Sequence, residues 1–187
     1  MKTLSIIRLI FLISVTVYFI YVSRKALFNL KTHGFYRFFI FEACLILVLI
    51  NVPYWFLNPF LPLQIISWAL LVISLYLLYQ SISFLRKIGG SKEREQASAN
   101  YKFENTANLV KVGIYKYIRH PMYGSLLFLS LGAFLKDISV YSIILTATAV
   151  LFIILTAKTE EKENINFFGP SYSEYMKATK MFIPYIF

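Results

Sequence analysis

The sequence predicts an all-α membrane protein with about five transmembrane helices. The last two are expected to form a helical hairpin, followed by a short C-terminal amphipathic helix. The 187-residue chain is 58% hydrophobic with a mean hydropathy of +0.64, outside the range of an ordinary soluble domain. Its apolar residues fall into runs long enough to cross a bilayer. Its 19 lysines and arginines are concentrated between those runs.

Three spans are predicted in the N-terminal part of the chain. Residues 4–22 form an apolar run with one charge, Arg8, and at about 1.5 Å per residue this run can cross the hydrocarbon core. Residues 35–57 and 65–84 form the second and third spans. A cleavable signal peptide is the alternative for the first run. However, its apolar region would be shorter, and no small-residue cleavage site precedes Arg24.

The hairpin is predicted from two apolar segments that nearly touch in sequence. Residues 121–135 and 138–157 are separated only by Lys136 and Asp137, which indicates a tight polar turn. The first arm is short, at roughly 22 Å, so it lies partly in the membrane interface or is packed inside the bundle. The second arm is expected to continue past the membrane and to end near Phe168.

A short amphipathic helix is predicted near the C-terminus. Ser171 and Glu174 have the spacing of a capping box that would start it. Its aromatic face would rest at the headgroup boundary or close over the site at the open end of the hairpin. The residues that recur at helical intervals on this face are Tyr172, Tyr175, Met176 and Thr179.

The chain is expected to form a single membrane domain over residues 1–187. Residues 1–84 supply the three N-terminal spans, residues 85–120 form a cytoplasmic loop that leads to the site, and residues 121–187 form the hairpin and the C-terminal part of the site. Within the loop, residues 89–100 are polar and charged, which indicates a solvated connector or a lid.

The distribution of basic residues predicts the orientation. With five spans, 3 of the 19 lysines and arginines (Lys2, Arg8 and Lys136) lie on the side of the N-terminus, and the remaining 16 lie on the other side. By the positive-inside rule the N-terminus is outside, and the polar end of the hairpin and the C-terminus are cytoplasmic. The net charge of +10 is then a signal of topology and of anionic headgroups, and no nucleic-acid partner is predicted.

Two polar clusters flank the hairpin. The first, residues 111–124, is basic and rich in tyrosine, and the second is Glu160-Glu161. Because a hairpin returns its end to the side where it begins, Arg119 and His120 are expected to meet the glutamates, some forty residues away. These four residues are the predicted catalytic residues. Successive helix positions point about 100° apart, so only one glutamate can face the hairpin interior squarely.

The start of the hairpin favours binding of an anion. Pro121 suits the first helical position, where its missing N–H costs nothing. The backbone N–H groups of Met122, Tyr123 and Gly124 then lie in the first turn and are available to a negatively charged group. The alternative is that Arg119 and the tyrosines of this run only anchor the helix at the interface.

Three further residues stand apart from these clusters. Cys44 lies in an apolar run and is expected to be a core residue, so no disulfide, metal site or cysteine nucleophile is predicted. Glu42 is a membrane carboxylate and thus a candidate functional residue, although it could also reach the interface or pair with Arg37. His33, in a basic loop, is expected on the surface.

An ordered set of motifs occupies residues 109–184. Its members are Leu109-Val110, Gly113-Ile114-Tyr115, Arg119-His120-Pro121-Met122-Tyr123, Glu160-Glu161, Phe168-Gly169, Tyr172, Tyr175 and Ile183-Pro184. With a membrane hairpin between them, they resemble the integral-membrane methyltransferases that include isoprenylcysteine carboxyl methyltransferases and phospholipid N-methyltransferases.

The resemblance implies a methyltransferase that binds S-adenosylmethionine on the cytoplasmic side and acts on a lipidic acceptor. A sulfonium and an ammonium group favour a carboxylate and aromatic faces, and the cofactor's carboxylate suits a helix N-terminus. The residues that the resemblance places around the cofactor are Leu109, Val110, Gly113, Tyr115, His120, Pro121, Met122, Tyr123 and Glu160.

The resemblance has one departure and two alternatives. An arginine associated with the substrate carboxylate in prenylcysteine enzymes is replaced here by Thr156, which favours a lipid with a neutral or amine acceptor. The first alternative is a membrane reductase that uses NADPH, because sterol-reductase-like proteins look similar through this region. The second is a small non-catalytic membrane subunit.

Overall fold

The computed structural model describes residues 2–90 and 104–186, with the backbone alone for residues 2–4. Most of the predicted connector or lid, residues 89–100, lies outside the described residues. Over the described ranges the chain forms six α-helices and two short 3₁₀ helices, which confirms the all-α prediction. The α-helices are α1 (Lys2–Leu27), α2 (His33–Asn51), α3 (Pro62–Ile88), α4 (Pro121–Phe134), α5 (Val140–Phe168) and α6 (Pro170–Ala178), and the 3₁₀ helices are Val52–Tyr54 and Gly113–Lys116.

Four of these helices are long and apolar enough to cross a membrane. The candidate spans are Ser5–Leu27, His33–Tyr54, Pro62–Ile88 and Val140–Phe168, with 22 to 29 residues each. The fifth apolar helix, α4, has 14 residues and is therefore only about 21 Å long. The protein is thus a multi-pass integral membrane protein in which helix α4 is too short to cross the bilayer by itself.

Helix α4 is packed within the bundle, which was one of the two predicted possibilities. It lies against α3, α5 and α2. Ser67 and Ser74 of α3 donate hydrogen bonds of 2.7 Å to the backbone oxygens of Gly132 and Ser125. A Cβ on Gly132 would come within 2.9 Å of the Leu71 side chain. Small residues and serine hydroxyls therefore allow the close helix contact that is typical of membrane bundles.

The turn of the predicted hairpin is fixed by Lys136. This side chain is 4% exposed, and its Nζ lies 3.1 Å from Gln64 Oε1 and 3.9 Å from the centroid of the Trp68 ring. Ser139 then caps α5 by accepting a hydrogen bond from the Ser142 backbone N–H. The turn is therefore anchored to α3 at the end of the hairpin opposite to the polar clusters.

Helix α5 continues beyond the apolar arm and ends at Phe168, as predicted. Gly169 follows with φ of +62°, a left-handed conformation that favours glycine. The predicted capping box is wrong, because α6 begins at Pro170 and Gly169 occupies the N-cap position. Proline at the first helical position starts the helix before Ser171 can cap it.

Helix α1 packs against α2, and one polar contact joins them inside the membrane. Thr16 donates a hydrogen bond of 2.9 Å to Glu42 Oε2. The predicted alternative in which Glu42 pairs with Arg37 is wrong, because Glu42 binds Thr16 of α1 and Arg37 pairs with Glu104. A carboxylate within a span needs a protein partner, and the threonine hydroxyl supplies one.

Candidate active site

A cavity of about 710 Å³, counting its open mouth, lies where α4 begins and α5 leaves the membrane region. The end of α3, the segment before α4, the last turns of α5 and helix α6 form its walls. Among its lining residues, those that the sequence singled out as catalytic or cofactor-binding are Leu109, Val110, Tyr115, Arg119, His120, Pro121, Met122, Tyr123 and Glu160.

The entry into α4 is held by the end of the described chain. The Arg119 backbone N–H donates to Lys180 O at 2.8 Å, and the His120 N–H donates to Met181 O at 3.1 Å. In return, the Lys180 N–H donates to Tyr117 O at 3.0 Å. This strand-like pairing fixes the position of Arg119 and His120, so the hairpin alone does not complete the cavity.

Arg119 and Glu161 form a buried ion pair beside the cavity. Arg119 Nε lies 2.7 Å from Glu161 Oε1, and the two side chains are only 10% and 9% exposed. The same guanidinium also donates to the backbone oxygens of Met176 and Thr179 at the end of α6. Arg119 therefore joins α5, α6 and the start of α4, and Glu161 is directed to this junction and does not line the cavity.

His120 and Glu160 lie on the cavity wall itself. His120 Nδ1 is 3.8 Å from Glu160 Oε2, and the imidazole stacks on the Tyr123 ring with centroids 5.6 Å apart. His120 is buried, whereas the Glu160 side chain is 30% exposed. His120 Nε2 is buried and has no hydrogen-bond partner in the described part of the chain, although Glu161 Oε1 lies 3.4 Å away. Of the two glutamates, it is Glu160 that presents its carboxylate to the cavity.

The first turn of α4 supplies backbone donors to the same cavity. Pro121 occupies the first helical position, and His120 precedes it as the N-cap without a side-chain hydrogen bond to the turn. The first helical backbone bond runs from the Gly124 N–H to His120 O at 2.8 Å. The N–H groups of Met122 and Tyr123 precede that bond, so they are positioned to bind an anion.

Tyrosines form much of the aromatic lining. Tyr175 of α6 donates a hydrogen bond of 2.7 Å to Tyr115 O, and Tyr172 stacks on Phe168 with centroids 6.3 Å apart. Burial raises the pKa of the phenols of Tyr115, Tyr172 and Tyr175 well above the usual range, so all three remain neutral. The aromatic face of α6 therefore closes over the cavity, which was one of the two predicted roles.

Gly113 is the predicted cofactor-binding residue that does not line the cavity. It is exposed and begins the 3₁₀ helix that carries Tyr115. Its φ is +61°, and a Cβ would lie 2.2 Å from the Phe84 ring. Glycine is therefore required there by the backbone conformation and by the contact with α3.

Two carboxylates on the cavity wall, Glu104 and Glu163, were not predicted. Glu163 Oε2 lies 2.6 Å from His33 Nδ1, and His33 is 1% exposed. The predicted surface location of His33 is therefore wrong, because α2 begins at this residue and α5 covers it. Glu104 pairs with Arg37 at 2.8 Å. The other lining residues are Leu85, Thr106, Asn164 and Phe168, together with Tyr172 and Tyr175 of the aromatic face that was expected to close over the site.

Comparison with known proteins identifies the class of enzyme. The sequence profile of the phospholipid methyltransferase family matches residues 62–171, which is more than half of the chain and contains α3, α4, α5 and most of the cavity wall. The chain belongs to this family. It is therefore a membrane methyltransferase, and the reductase and non-catalytic alternatives are not supported.

The chain is also similar to a methanethiol S-methyltransferase from Pseudomonas deceptionensis. The two are 30% identical over 71 residues, which cover 38% of this chain and 26% of the relative. The chain thus matches about a quarter of the length of this curated relative, and the family match does not specify the methyl acceptor.

Proposed function

We propose that this enzyme transfers a methyl group from S-adenosylmethionine to the amine or neutral head of a membrane-embedded lipid, at the cytoplasmic face. The observation that carries the proposal is the position of Glu160. Its carboxylate lies on a tyrosine-lined cavity wall, near the start of α4 and close to His120. This is an environment for a ligand with both a cationic and an anionic end.

The residues present suit S-adenosylmethionine, which methyltransferases of this family use. Glu160 and the aromatic side chains favour the sulfonium and ammonium groups. The free N–H groups of Met122 and Tyr123 suit the carboxylate. The His120 imidazole, whose Nδ1 faces Glu160 on the cavity wall, offers a further polar contact.

When bound, this cofactor supplies an electrophilic methyl group on a sulfonium. The protein's contribution is then alignment and exclusion of water, because an in-line displacement of this kind needs little acid or base assistance. Tyr172 and Tyr175 of α6 cover the cavity. Arg119 is paired with Glu161 of α5 and donates to two backbone oxygens at the end of α6, so it anchors this cover. Arg119 and Glu161 would thus act by holding the cover in place, while His120 and Glu160 contact the ligand.

The proposed acceptor is inferred from three side chains that are not placed to bind an acceptor carboxylate. Thr156 is completely buried and donates its hydroxyl to Phe152 O, so it does not reach the cavity. Lys158 is exposed on another face of α5. Arg119 is already paired with Glu161. A fixed clamp for an acceptor carboxylate is therefore absent from these positions, which favours an amine or a neutral head.

A small thiol is the second candidate acceptor. It is favoured by the similarity to a protein named methanethiol S-methyltransferase. The same cavity would serve, because the proposed contacts of Glu160 and α4 are with the cofactor and are independent of the acceptor.

Calorimetry of the purified protein in detergent tests the proposal. S-adenosylhomocysteine is expected to bind and NADPH is not. Glu160→Gln and His120→Ala should each weaken binding roughly tenfold to a hundredfold, the equivalent of about 1.5 to 3 kcal/mol for a charge-assisted contact. Glu174→Gln, which removes the charge of an exposed glutamate on α6, is the matched control. Unchanged affinity in both cavity variants would show that the cofactor binds elsewhere.

A further inference from the structure

Two buried basic side chains of helix α2 bind residues of the cavity wall but do not line the cavity themselves. Arg37 is 7% exposed and His33 is 1% exposed. Both residues precede the stretch that matches the methyltransferase family, residues 62–171. Their partners, Glu104 and Glu163, lie within that stretch and on the cavity wall.

Arg37 holds the wall that precedes α4. Its Nη1 donates to both carboxylate oxygens of Glu104, at 2.9 and 2.8 Å. Glu104 begins the described segment that carries Leu109 and Val110 along the cavity. This segment has no regular secondary structure up to the 3₁₀ helix, and the Asn108 N–H joins it to the end of α3 by donating to Gly89 O at 2.9 Å. The buried ion pair therefore attaches an irregular wall to a membrane helix.

His33 holds the part of the wall that α5 forms. Its Nδ1 lies 2.6 Å from Glu163 Oε2, and its backbone N–H donates to Glu163 Oε1 at 3.0 Å. Glu163 is three residues after Glu160, so it lies about one turn further along the same face of α5. Both carboxylate oxygens of Glu163 are thus bound by the first residue of α2.

We propose that Arg37 and His33 are positioning residues for methyl transfer. By holding Glu104 and Glu163 from one helix, they set the distance between the two walls of the cavity. This inference rests on the proposed function. Displacing a positioned group by about 1 Å can lower a rate a hundredfold, so a loosened wall affects turnover even when the protein remains folded.

The test compares three variants of the Arg37 pair. Arg37→Gln is expected to lower kcat/KM and the affinity for S-adenosylhomocysteine roughly tenfold. Arg37→Lys should recover most of this loss, because a single nitrogen makes both contacts with Glu104. The exchange Arg37→Glu with Glu104→Arg should recover part of it, since the ion pair is restored in reverse.

The matched control is Glu42→Gln on the same helix. It removes a charge from α2 and keeps a group that can accept the Thr16 hydrogen bond, but Glu42 faces α1 and not the cavity. Its kcat/KM and ligand affinity should stay at the wild-type values. His33→Ala should resemble Arg37→Gln, with Tm recorded for each variant.

The outcomes separate this inference from the proposed function. If wild-type protein binds S-adenosylhomocysteine and Arg37→Gln retains its affinity and kcat/KM, the positioning role is overturned while the proposed function stands. The positioning role is also overturned if Arg37→Gln and Glu42→Gln both lose activity in proportion to their loss of Tm. It is overturned as well if Arg37→Lys does not fold. In either case the Arg37–Glu104 pair has only a structural role. If the wild type binds no S-adenosylhomocysteine, the proposed function fails and this inference fails with it.

Discussion

Glu161 Oε1 lies 2.7 Å from Arg119 Nε across 42 residues of sequence, while the adjacent Glu160 lines the cavity with a side chain that is 30% exposed. Two neighbouring carboxylates on one helix therefore have different environments. One is buried against a guanidinium that also binds the end of α6, and the other is available to a ligand. The same chemical change at the two positions should consequently have different effects.

Glu161→Gln is expected to destabilise the protein, because it leaves the Arg119 guanidinium buried without its counter-charge. Breaking a buried ion pair typically costs about 3 to 5 kcal/mol. Glu160→Gln should leave the stability nearly unchanged and weaken the cofactor instead. Thermal unfolding in detergent, measured beside ligand calorimetry for both variants, checks this contrast. Equal losses of Tm in the two variants would contradict the assignment of Glu161 to structure and Glu160 to binding.

Some of this arrangement could be predicted from the sequence because the bilayer imposes simple rules. Spans must be long and apolar, so the helices and the hairpin were visible as hydropathy runs. Gly169 and Pro170 marked the end of α5, since one adopts a left-handed conformation and the other starts the next helix. The meeting of Arg119 with the glutamate pair followed from the hairpin alone.

The remainder could not be predicted, because helical periodicity does not reveal which segments meet. His33 was expected on the surface because the sequence does not connect it with its partner, Glu163, which lies 130 residues away. Likewise, the 100° rotation between Glu160 and Glu161 predicted that only one could face inward, but not which one. That choice depends on α6, whose final carbonyl groups complete the surroundings of Arg119.

The membrane orientation can be tested by labelling single cysteines in a Cys44→Ala background. Phe60 and Ile138 are exposed at one end of the bundle, and Lys116 and Lys180 are exposed at the other. Cysteines at the first two positions should react with an impermeant maleimide from outside. Those at the last two should react only after permeabilisation, because 16 of the 19 basic residues predict a cytoplasmic location. Reversed labelling would overturn the orientation, and labelling of all four from one side would overturn the hairpin.

Stability should decrease at alkaline pH because of the buried tyrosines. Burial raises the pKa of the Tyr175 phenol above its ordinary value of about 10. The unfolded chain then releases this proton at a lower pH than the folded protein. The contribution of the protonated phenol to the free energy of unfolding is therefore complete below about pH 10 and is lost as the pH rises further. Tyr175→Phe removes this titration and also the hydrogen bond to Tyr115 O, which is worth about 1 kcal/mol.

The expected result is that Tyr175→Phe is less stable than the wild type at neutral pH and that the difference narrows above about pH 10. Chemical unfolding at a series of pH values measures the free energy of unfolding, and tyrosinate absorbance follows the ionisation of the tyrosines. A constant difference across the series would mean that Tyr175 titrates normally in the folded protein.

The acceptor is the property with the most direct test. An active site at the membrane surface favours a substrate whose polar head reacts while its tail stays in the bilayer. Thr156 is buried and bonded to Phe152 O, so it cannot bind an acceptor carboxylate. We therefore expect methyl transfer to phosphatidylethanolamine to exceed transfer to farnesylcysteine, with methanethiol as a third acceptor that tests the similarity to the bacterial S-methyltransferase. Transfer of a tritiated methyl group in matched vesicles measures all three.

Thr156→Arg sharpens that comparison, because it introduces the guanidinium that prenylcysteine enzymes have at this position. The position is fully buried on α5, so an arginine must extend along the helix toward its polar end to avoid an uncompensated charge in the bundle. If the missing clamp limits the reaction, the variant that folds should methylate farnesylcysteine faster than the wild type and phosphatidylethanolamine no faster. Thr156→Gln, which is shorter than the arginine variant but polar and uncharged, is the control. A wild-type enzyme that already prefers farnesylcysteine, with no gain from the arginine, would mean that the acceptor carboxylate is bound by other residues and that Thr156 does not determine the substrate.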